Sequence, residues 1–417
     1  MLFDDYHISA DIKNNLHLLG FRRPTDIQFK SIPSIMKGED VLAIAQTGTG
    51  KTAAFAIPII NKIHSYKTSA RSLGIKCIVM VPTRELALQI GEVFTKIARH
   101  TKVTVFTLHG GVEQDRQIKK IQDGIDILIA TPGRMFDLIH QGTIRLSRVS
   151  TLVLDEADHM LDLGFIEDIK YVKKMLTSQH QTLFFSATIN PVIKKLAFSQ
   201  VKSSAIRIQI SPDDPVSKNV SHYVMFVEMD DKRFFLEKFI ADNPDSKIIV
   251  FVRTRVRADR VAKAMERVQI AALTLHGEME QHERTKIMAA FKKGSHTVLI
   301  ATDVSARGID IPNVNYVINY DLPQKPENYV HRVGRTGRGV QKGSAISFCS
   351  TAEKTVLDEI QAFLTKKIEV LKVDRDEYRQ VVEPAKKESS IDALVAEHEL
   401  WLQGKKKKRK KKPGKKK

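Results

Sequence analysis

Short runs of consecutive apolar residues recur along the chain, and most of them end on a polar or glycine-containing cluster. In the first half they fall at Val41–Ala45, Cys77–Val81, Val103–Thr107, Asp126–Ala130, Thr151–Leu154 and Thr182–Phe185. In the second half they fall at Lys247–Val252, Ala272–Leu275, Thr297–Ala301, Tyr316–Asn319 and Ala345–Phe348. Many lack the alternation of a strand with one wet face, which suits parallel strands covered on both sides. Helical stretches separate them, and the alternation of strand with helix occurs twice, so two α/β domains are predicted, each a mostly parallel sheet flanked by helices. We place them at 1–210 and 218–373, with 211–217 as linker because it is polar and holds Pro212 and Pro215. Residues 374–403 form an extension whose apolar spacing at 391, 394, 395 and 398 predicts one amphipathic helix, near the only tryptophan, Trp401.

In open parallel sheets ligands gather beyond the carboxyl ends of the strands. That edge is where this sequence sets its polar clusters: Pro82-Thr83-Arg84, Gly110-Gly111, Thr131-Pro132-Gly133-Arg134, Asp155-Glu156-Ala157-Asp158 and Ser186-Ala187-Thr188, then Arg253-Thr254-Arg255, His276-Gly277 and Thr302-Asp303. The most informative stretch is Ala45-Gln46-Thr47-Gly48-Thr49-Gly50-Lys51-Thr52, followed by Ala53–Ile57, which can continue as helix. Strand, small-residue loop, Lys-Thr and helix is the arrangement that wraps backbone N–H groups around a triphosphate. Lys51 would reach the β- and γ-phosphates, and the Thr52 hydroxyl would ligate Mg²⁺. Ala45 stands where the strict pattern has glycine; it suits the turn provided its φ stays negative.

Thr151–Leu154 followed by Asp155-Glu156 has the form of a second nucleotide-site strand. Asp155 would hold Mg²⁺ through its water shell, since Mg²⁺ prefers few carboxylates. Glu156 would orient and deprotonate the attacking water. Taken alone, such a pair reads more plainly as a helix cap with a first-turn acid. The phosphate loop upstream, on a strand that could neighbour this one, turns the reading toward catalysis. Phosphoryl transfer also needs positive charge at its transition state. His331-Arg332-Val333-Gly334-Arg335-Thr336-Gly337-Arg338 sets three arginines among two glycines, poor material for a core or a helix. Such a loop could simply contact RNA backbone. Across a cleft, however, Arg335 and Arg338 could reach a γ-phosphate held by the other domain, and hydrolysis would then require domain closure.

Charge adds a partner to this picture. Of a formal +19, Lys405–Lys417 supplies eleven positive charges and no acid, leaving +8 for the rest. We expect 404–417 to be a disordered polycation. It would serve as a tether to a phosphate backbone, weakening as salt rises, or as a solubility or localisation segment. Cys77 and Cys349 both sit in apolar runs and read as buried small hydrophobes in a reducing compartment. No apolar run approaches the roughly 18 residues of a membrane helix, and Met1–Asp5 is no signal peptide, so a cytoplasmic protein is expected.

Together these residues resemble the DEAD-box RNA helicases, over about residues 1–370. Asp155-Glu156-Ala157-Asp158 spells the family's name motif. In order around it stand Gly20–Gln28 (the Q motif), Ala45–Thr52, where alanine is usual for this family, Pro82–Ala87, Gly110-Gly111, Thr131–Arg134, Ser186–Thr188, Val250–Thr254, Gln281–Arg284, Ala301–Asp310 and His331–Arg338. A short segment before Phe3 and a Lys-rich tail look like the bacterial RhlE-type branch.

The resemblance implies two RecA-like domains that close over ATP and single-stranded RNA. It implies that Phe21 stacks on adenine, that the Gln28 amide reads the adenine edge and so favours ATP over GTP, and that Asp310 bonds the ribose. Asp26, where proline is commoner, is not a contacting position. Asp158, Ser186, Thr188 and His331 would couple hydrolysis to the RNA side, with Arg335 and Arg338 as the fingers. The implied RNA face is Pro82, Thr83, Arg84, Gly111, Thr131, Arg134, Arg253, Gly277, Gln281, Arg284, Thr302 and Asp303. Few aromatics stand among these residues, so binding should be sequence-tolerant. The function expected is an ATP-dependent RNA helicase, and the resemblance implies local strand separation instead of long translocation, since a bent strand would clash with continued A-form pairing. An ATP-gated RNA clamp and a general nucleic-acid remodeller acting also on DNA are the alternatives, and a monomer is the expected state.

Overall fold

The computed structural model describes residues 1–46, 48–68, 74–176, 178–210, 216, 219–303, 311, 313–337, 341–364 and 367–383. The predicted helix at 391–400, the tail and all of the linker except Val216 lie outside them.

In the first half the strands are β1 (Val41–Ile44), β2 (Cys77–Met80), β3 (Val105–Leu108), β4 (Ile127–Ala130), β5 (Thr151–Leu154), β6 (Gln181–Ser186) and β7 (Ile206–Gln209). Around them lie α1 (Ala10–Leu18), α2 (Asp26–Met36), α3 (Lys51–Tyr66), α4 (Arg84–Ile97), α5 (Gln114–Gln122), α6 (Pro132–His140), α7 (Ala157–Asp162), α8 (Ile166–Met175) and α9 (Pro191–Gln200). The second half holds β8 (Val220–Phe226), β9 (Ile248–Phe251), β10 (Ala272–Leu275), β11 (Val298–Ala301), β12 (Tyr316–Asn319), β13 (Gly343–Cys349) and β14 (Glu369–Val370). Its helices are α10 (Lys232–Asp242), α11 (Arg255–Arg267), α12 (Gln281–Lys293), α13 (Pro326–Val333) and α14 (Lys354–Leu364).

Each half forms its own seven-stranded sheet, ordered β3-β4-β2-β5-β6-β1-β7 and β10-β11-β9-β12-β13-β8-β14. Every described strand pair is parallel. Adding seven to each strand of the first order gives the second, so the two domains share one topology. The predicted tandem α/β architecture is present, with three strands that the apolar runs did not reveal. β7 is an edge strand in which only Ile208 is buried. β8 alternates buried and wetter positions, and β14 is two exposed residues. None of the three gives a continuous apolar run.

The unbroken runs follow from burial on both faces. Along β1, Val41 and Ala43 join one core with Phe55, Phe94 and Phe185, while Leu42 and Ile44 join another with Met135, Leu138 and Phe184. The second domain divides in the same way: Ile249 and Phe251 face one core, Ile248 and Val250 the other. Both cysteines are free and buried, as their apolar settings predict. Among the described residues no helix is long and apolar enough to cross a membrane.

Several helices begin at the strand tips because their first polar residue caps them. Thr83 accepts from Leu86 N at 3.3 Å, and Thr254 accepts from Arg257 N at 3.3 Å. Thr131 precedes Pro132 at the first position of α6. The polar clusters therefore sit where strand gives way to helix.

Candidate active site and nucleic-acid face

Beyond β1 the loop turns through Gly48 (φ 80°) and Gly50 (φ 93°), left-handed backbone that glycine enters without strain. Ala45 is buried and is not among the residues with positive φ, so its methyl suits the turn. Thr49 Oγ1 donates to Gln46 O at 2.7 Å and closes the loop on itself. Gly50 caps α3, whose first residues are Lys51 and Thr52. Lys51 is only 7% exposed, and among the described residues its Nζ has no hydrogen-bond partner. A buried ammonium without acceptors is costly, and a phosphate at this helix start would satisfy it. Thr47 lies outside the described residues, as do Asp310 and Arg338.

The Q motif packs against this loop. Thr25 and Gln28 form a capping box at the start of α2, with Gln28 Oε1 accepting from Thr25 N at 2.9 Å. Gln28 Nε2 donates to Gly50 O at 3.1 Å. One N–H and one lone pair of the amide remain for a base edge. Phe21 is half-buried, its ring edge-on to Phe3 with centroids 5.9 Å apart.

The loop strand β1 and the strand carrying Asp155, β5, are not neighbours. β6 lies between them, pairing with both. The tip of β6 therefore brings Ser186, Ala187 and Thr188 between the phosphate loop and the acidic cluster. Asp155 is 2% exposed, and burial pushes its carboxyl up to about 6, a rise that the charge of Lys51 only partly offsets. Its Oδ1 accepts from Glu156 N at 3.0 Å. Glu156 adopts a left-handed backbone (φ 51°, ψ 49°) as it leads into α7. Burial works to raise the Glu156 carboxyl, but the hydrogen bond and charge of His159, with the charges of Arg335 and Lys51, hold it well below the usual carboxylate range.

The two domains meet over this cluster. Asp158 Oδ2 accepts from Thr188 N and from Thr188 Oγ1, both at 2.8 Å, and lies 3.6 Å from Nε2 of His331 on α13. Ser186 Oγ donates to Thr188 O at 2.8 Å. The four residues predicted to couple the two sides thus form one buried node. Arg335 is buried in the turn after α13, with Nε donating to His331 O at 3.1 Å. Nearby, Lys325 Nζ reaches Asp162 Oδ1 at 2.9 Å across the domains.

Farther along the same strand ends, beyond β2, β3 and β4 of the first sheet and β9, β10 and β11 of the second, lie the residues expected to meet RNA. Arg84 is exposed, and its guanidinium lies against Gly110 and Gly111, where a methyl group would overlap it. Pro82 is buried and Thr83 half-buried, while Thr131 heads α6. Arg134 Nη1 donates to Gln117 Oε1 at 2.6 Å. In the second domain, Gly277 has open space around it and Gln281 begins α12. Thr302 is buried at the tip of β11, its N donating to Leu275 O at 3.3 Å. Asp303 takes a two-pronged bond from buried Arg332, Nε to Oδ1 at 2.5 Å and Nη2 to Oδ2 at 2.9 Å. Arg253 leans on Glu353, Nη2 to Oε1 at 3.5 Å. Burial would raise the Glu353 carboxyl, yet the charge and hydrogen bond of Lys232 keep it low.

Arg284, expected at the RNA face, also bridges the two domains. It is 8% exposed, and both Nε and Nη2 reach Glu85 Oε1 of the first domain at 2.7 Å, while Nη1 donates to His276 O at 3.0 Å. Its guanidinium joins the domains because the carboxylate of Glu85 faces it across the cleft.

Residues 25–196 match the DEAD/DEAH box helicase family model, and 231–340 match the helicase conserved C-terminal domain. The chain is 39% identical over 370 residues to the DEAD-box ATP-dependent RNA helicase CshA of Bacillus subtilis, covering 89% of this chain and 74% of the relative. It belongs to the DEAD-box ATP-dependent RNA helicases. Another relative, CshA of Geobacillus kaustophilus, is 38% identical over 89% of the helicase and 78% of its own length. Among solved structures, Saccharomyces cerevisiae Dbp5 bound to RNA and ADP BeF3 superposes with a TM-score of 0.81 at 30% identity, over 92% of the helicase and 98% of that chain. A DEAD box protein from Methanococcus jannaschii is 35% identical, over 89% and 99%, yet its TM-score is 0.54. A score of 0.81 across both domains requires them to be disposed alike, so the helicase has the domain arrangement of that RNA- and nucleotide-bound structure.

Sequence reasoning missed three residues of the helicase site. Glu85 stands in the sequence as one letter of the Pro82–Ala87 motif, and its partner lies 199 positions away. Lys325 is an ordinary surface lysine until the domains meet. His159, fully buried beside Glu156, follows the name motif and carries no pattern of its own.

Proposed function

We propose that this helicase hydrolyses ATP when RNA draws its two domains together, and that the cycle separates short duplexes and remodels RNA–protein complexes. The observation that carries this reading is the cross-domain node: His331 and Arg335 of the second domain stand over Asp158 and Glu156 of the first. Only the closed molecule assembles that set. Lys51 and the N–H groups of Gly48–Lys51 would hold the phosphates, with Ala45, Gln46, Thr47 and Thr49 shaping the loop. Phe21, Gln28 and Asp310 would hold base and ribose. Glu156 would accept the proton of the attacking water, while Arg335 and Arg338 steady charge at the γ-phosphate.

Asp155 and Thr52 offer a small, all-oxygen donor set beside a lysine with no bonded partner among the described residues, which suits Mg²⁺ shared with phosphate and water. When bound, the ion would neutralise phosphate charge. Asp158, Ser186 and Thr188 would transmit the state of the RNA edge to this cleft. The RNA face would be Pro82, Thr83, Arg84, Gly111, Thr131, Arg134, Arg253, Gly277, Gln281, Arg284, Thr302 and Asp303, binding backbone and 2′-OH instead of bases. We read the enzyme as a cytoplasmic monomer. A narrower assignment to the RhlE-type branch rests on the Lys-rich tail alone, and the relatives compared carry the CshA name.

The test is steady-state ATPase of wild type and Glu156→Gln with no nucleic acid, single-stranded RNA or matched DNA. RNA alone should stimulate wild type strongly, and Glu156→Gln should lower turnover by about a hundredfold or more. Equal stimulation by DNA would make the protein a general remodeller. Little turnover anywhere, with tight ATP-dependent RNA binding, would make it a clamp.

A further inference from the structure

His159 is the one fully buried histidine of the active cleft that the mechanism above leaves unused. It sits on α7, three residues beyond Glu156, the left-handed residue that leads into that helix. Its Nδ1 lies 3.4 Å from Glu156 Oε2. Its Nε2 is buried and, among the described residues, has no hydrogen-bond partner. A carboxylate facing Nδ1 calls for an N–H on that atom, donated to Oε2.

Glu156 needs such a restraint. Its backbone is left-handed without being glycine, a conformation that persists only when its surroundings hold it. Its carboxylate is also drawn by two cations, Lys51 and Arg335, and the second of these belongs to the other domain. A rigid, fully buried ring on the helix that Glu156 leads into keeps one orientation whether or not that arginine is present.

We propose that His159 is a positioning residue for Glu156, donating from Nδ1 to Oε2 so that the carboxylate is already aimed when the domains close. This inference rests on the reading of Glu156 as the base that activates water.

The experiment is RNA-stimulated ATPase of the full chain as wild type, His159→Phe, His159→Asn and His159→Gln, each also in the Glu156→Gln background under single-turnover conditions. Phenylalanine keeps the ring but has no N–H. Asparagine sets an amide N–H near the place of Nδ1, whereas glutamine sets it near Nε2. His159→Phe should lose at least about tenfold in kcat, the scale of a misplaced catalytic group. The KM for ATP and the RNA concentration for half-activation should stay within about twofold of wild type. His159→Asn should recover most of the loss, and His159→Gln less. In the Glu156→Gln background His159→Phe should cost nothing further, because no carboxylate remains to be aimed.

A kcat for His159→Phe within about twofold of wild type would overturn the proposal, as would an equal additional loss in the Glu156→Gln background. Should His159→Phe not fold, the asparagine and glutamine variants decide: asparagine above glutamine supports the assignment, and equality or the reverse order overturns it. If Glu156→Gln itself turns over normally, the reading of Glu156 fails instead, and the two failures are told apart.

Discussion

At φ 93° Gly50 occupies backbone space that an L side chain enters at a cost of about 1–2 kcal/mol. A methyl group there would also stand 2.5 Å from Gln28 Nε2 and 3.2 Å from Thr25 Oγ1. Gly50→Ala should therefore displace the Q-motif glutamine as well as strain the loop. We expect ATP-analogue affinity to fall by about tenfold or more, with nucleotide-free RNA binding unchanged; unaltered analogue titration would show that the loop relaxes at no cost. At this scale the sequence was legible wherever chemistry selects a residue type at a fixed place after a strand, as with Lys51, Asp155 and Glu156. It was illegible where a residue gains meaning from what faces it. His159 is an unremarked letter until its ring is seen against a carboxylate, and the bridge that Arg284 makes is unseen until Glu85 appears opposite.

Among the elements, α4 and α12 bring Glu85 and Arg284 together on the RNA edge, both side chains largely shielded from water. Breaking such a pair from one side leaves a charge to be resolvated by opening the cleft. Arg284→Met should thus weaken closure by about 2 kcal/mol, raising the RNA needed for half-activation by about thirtyfold. The exchanged pair Glu85→Arg with Arg284→Glu should regain part of that loss. An RNA titration of the ATPase checks both, and an unshifted midpoint for Arg284→Met would mean the pair does not help hold the domains. Strands buried on both faces announced themselves as apolar runs, whereas β7, β8 and β14 did not, being wet on one side or too short. The interposition of β6 between β1 and β5 was likewise invisible, since strand order is decided by crossovers and not by composition.

For the whole molecule, the identical strand order of the two sheets means that one topology serves twice with different loops. The first copy carries the phosphate loop, and the second contributes His331 and Arg335 from beyond its own strands. Added to this frame, the eleven-charge segment 405–417 should act on encounter with RNA and not on the chemistry. Removing it should raise the half-activating RNA concentration and flatten its salt dependence, with maximal turnover nearly unchanged. A salt series of ATPase titrations measures this, and an identical midpoint at low salt would deny the tail that part.

Neither sheet borrows a strand from the other, so once the side-chain contacts across the cleft part, the covalent connection between β7 and β8 is what keeps the domains together. Ten residues lie between Gln209 and Val220, and a tether of that length sets the effective concentration of one domain near the other on the order of millimolar. Closure is then an intramolecular event whose association entropy was spent when the chain was synthesised. ATP and RNA need supply only the reorientation, which leaves the opening step inexpensive enough to repeat with every turnover.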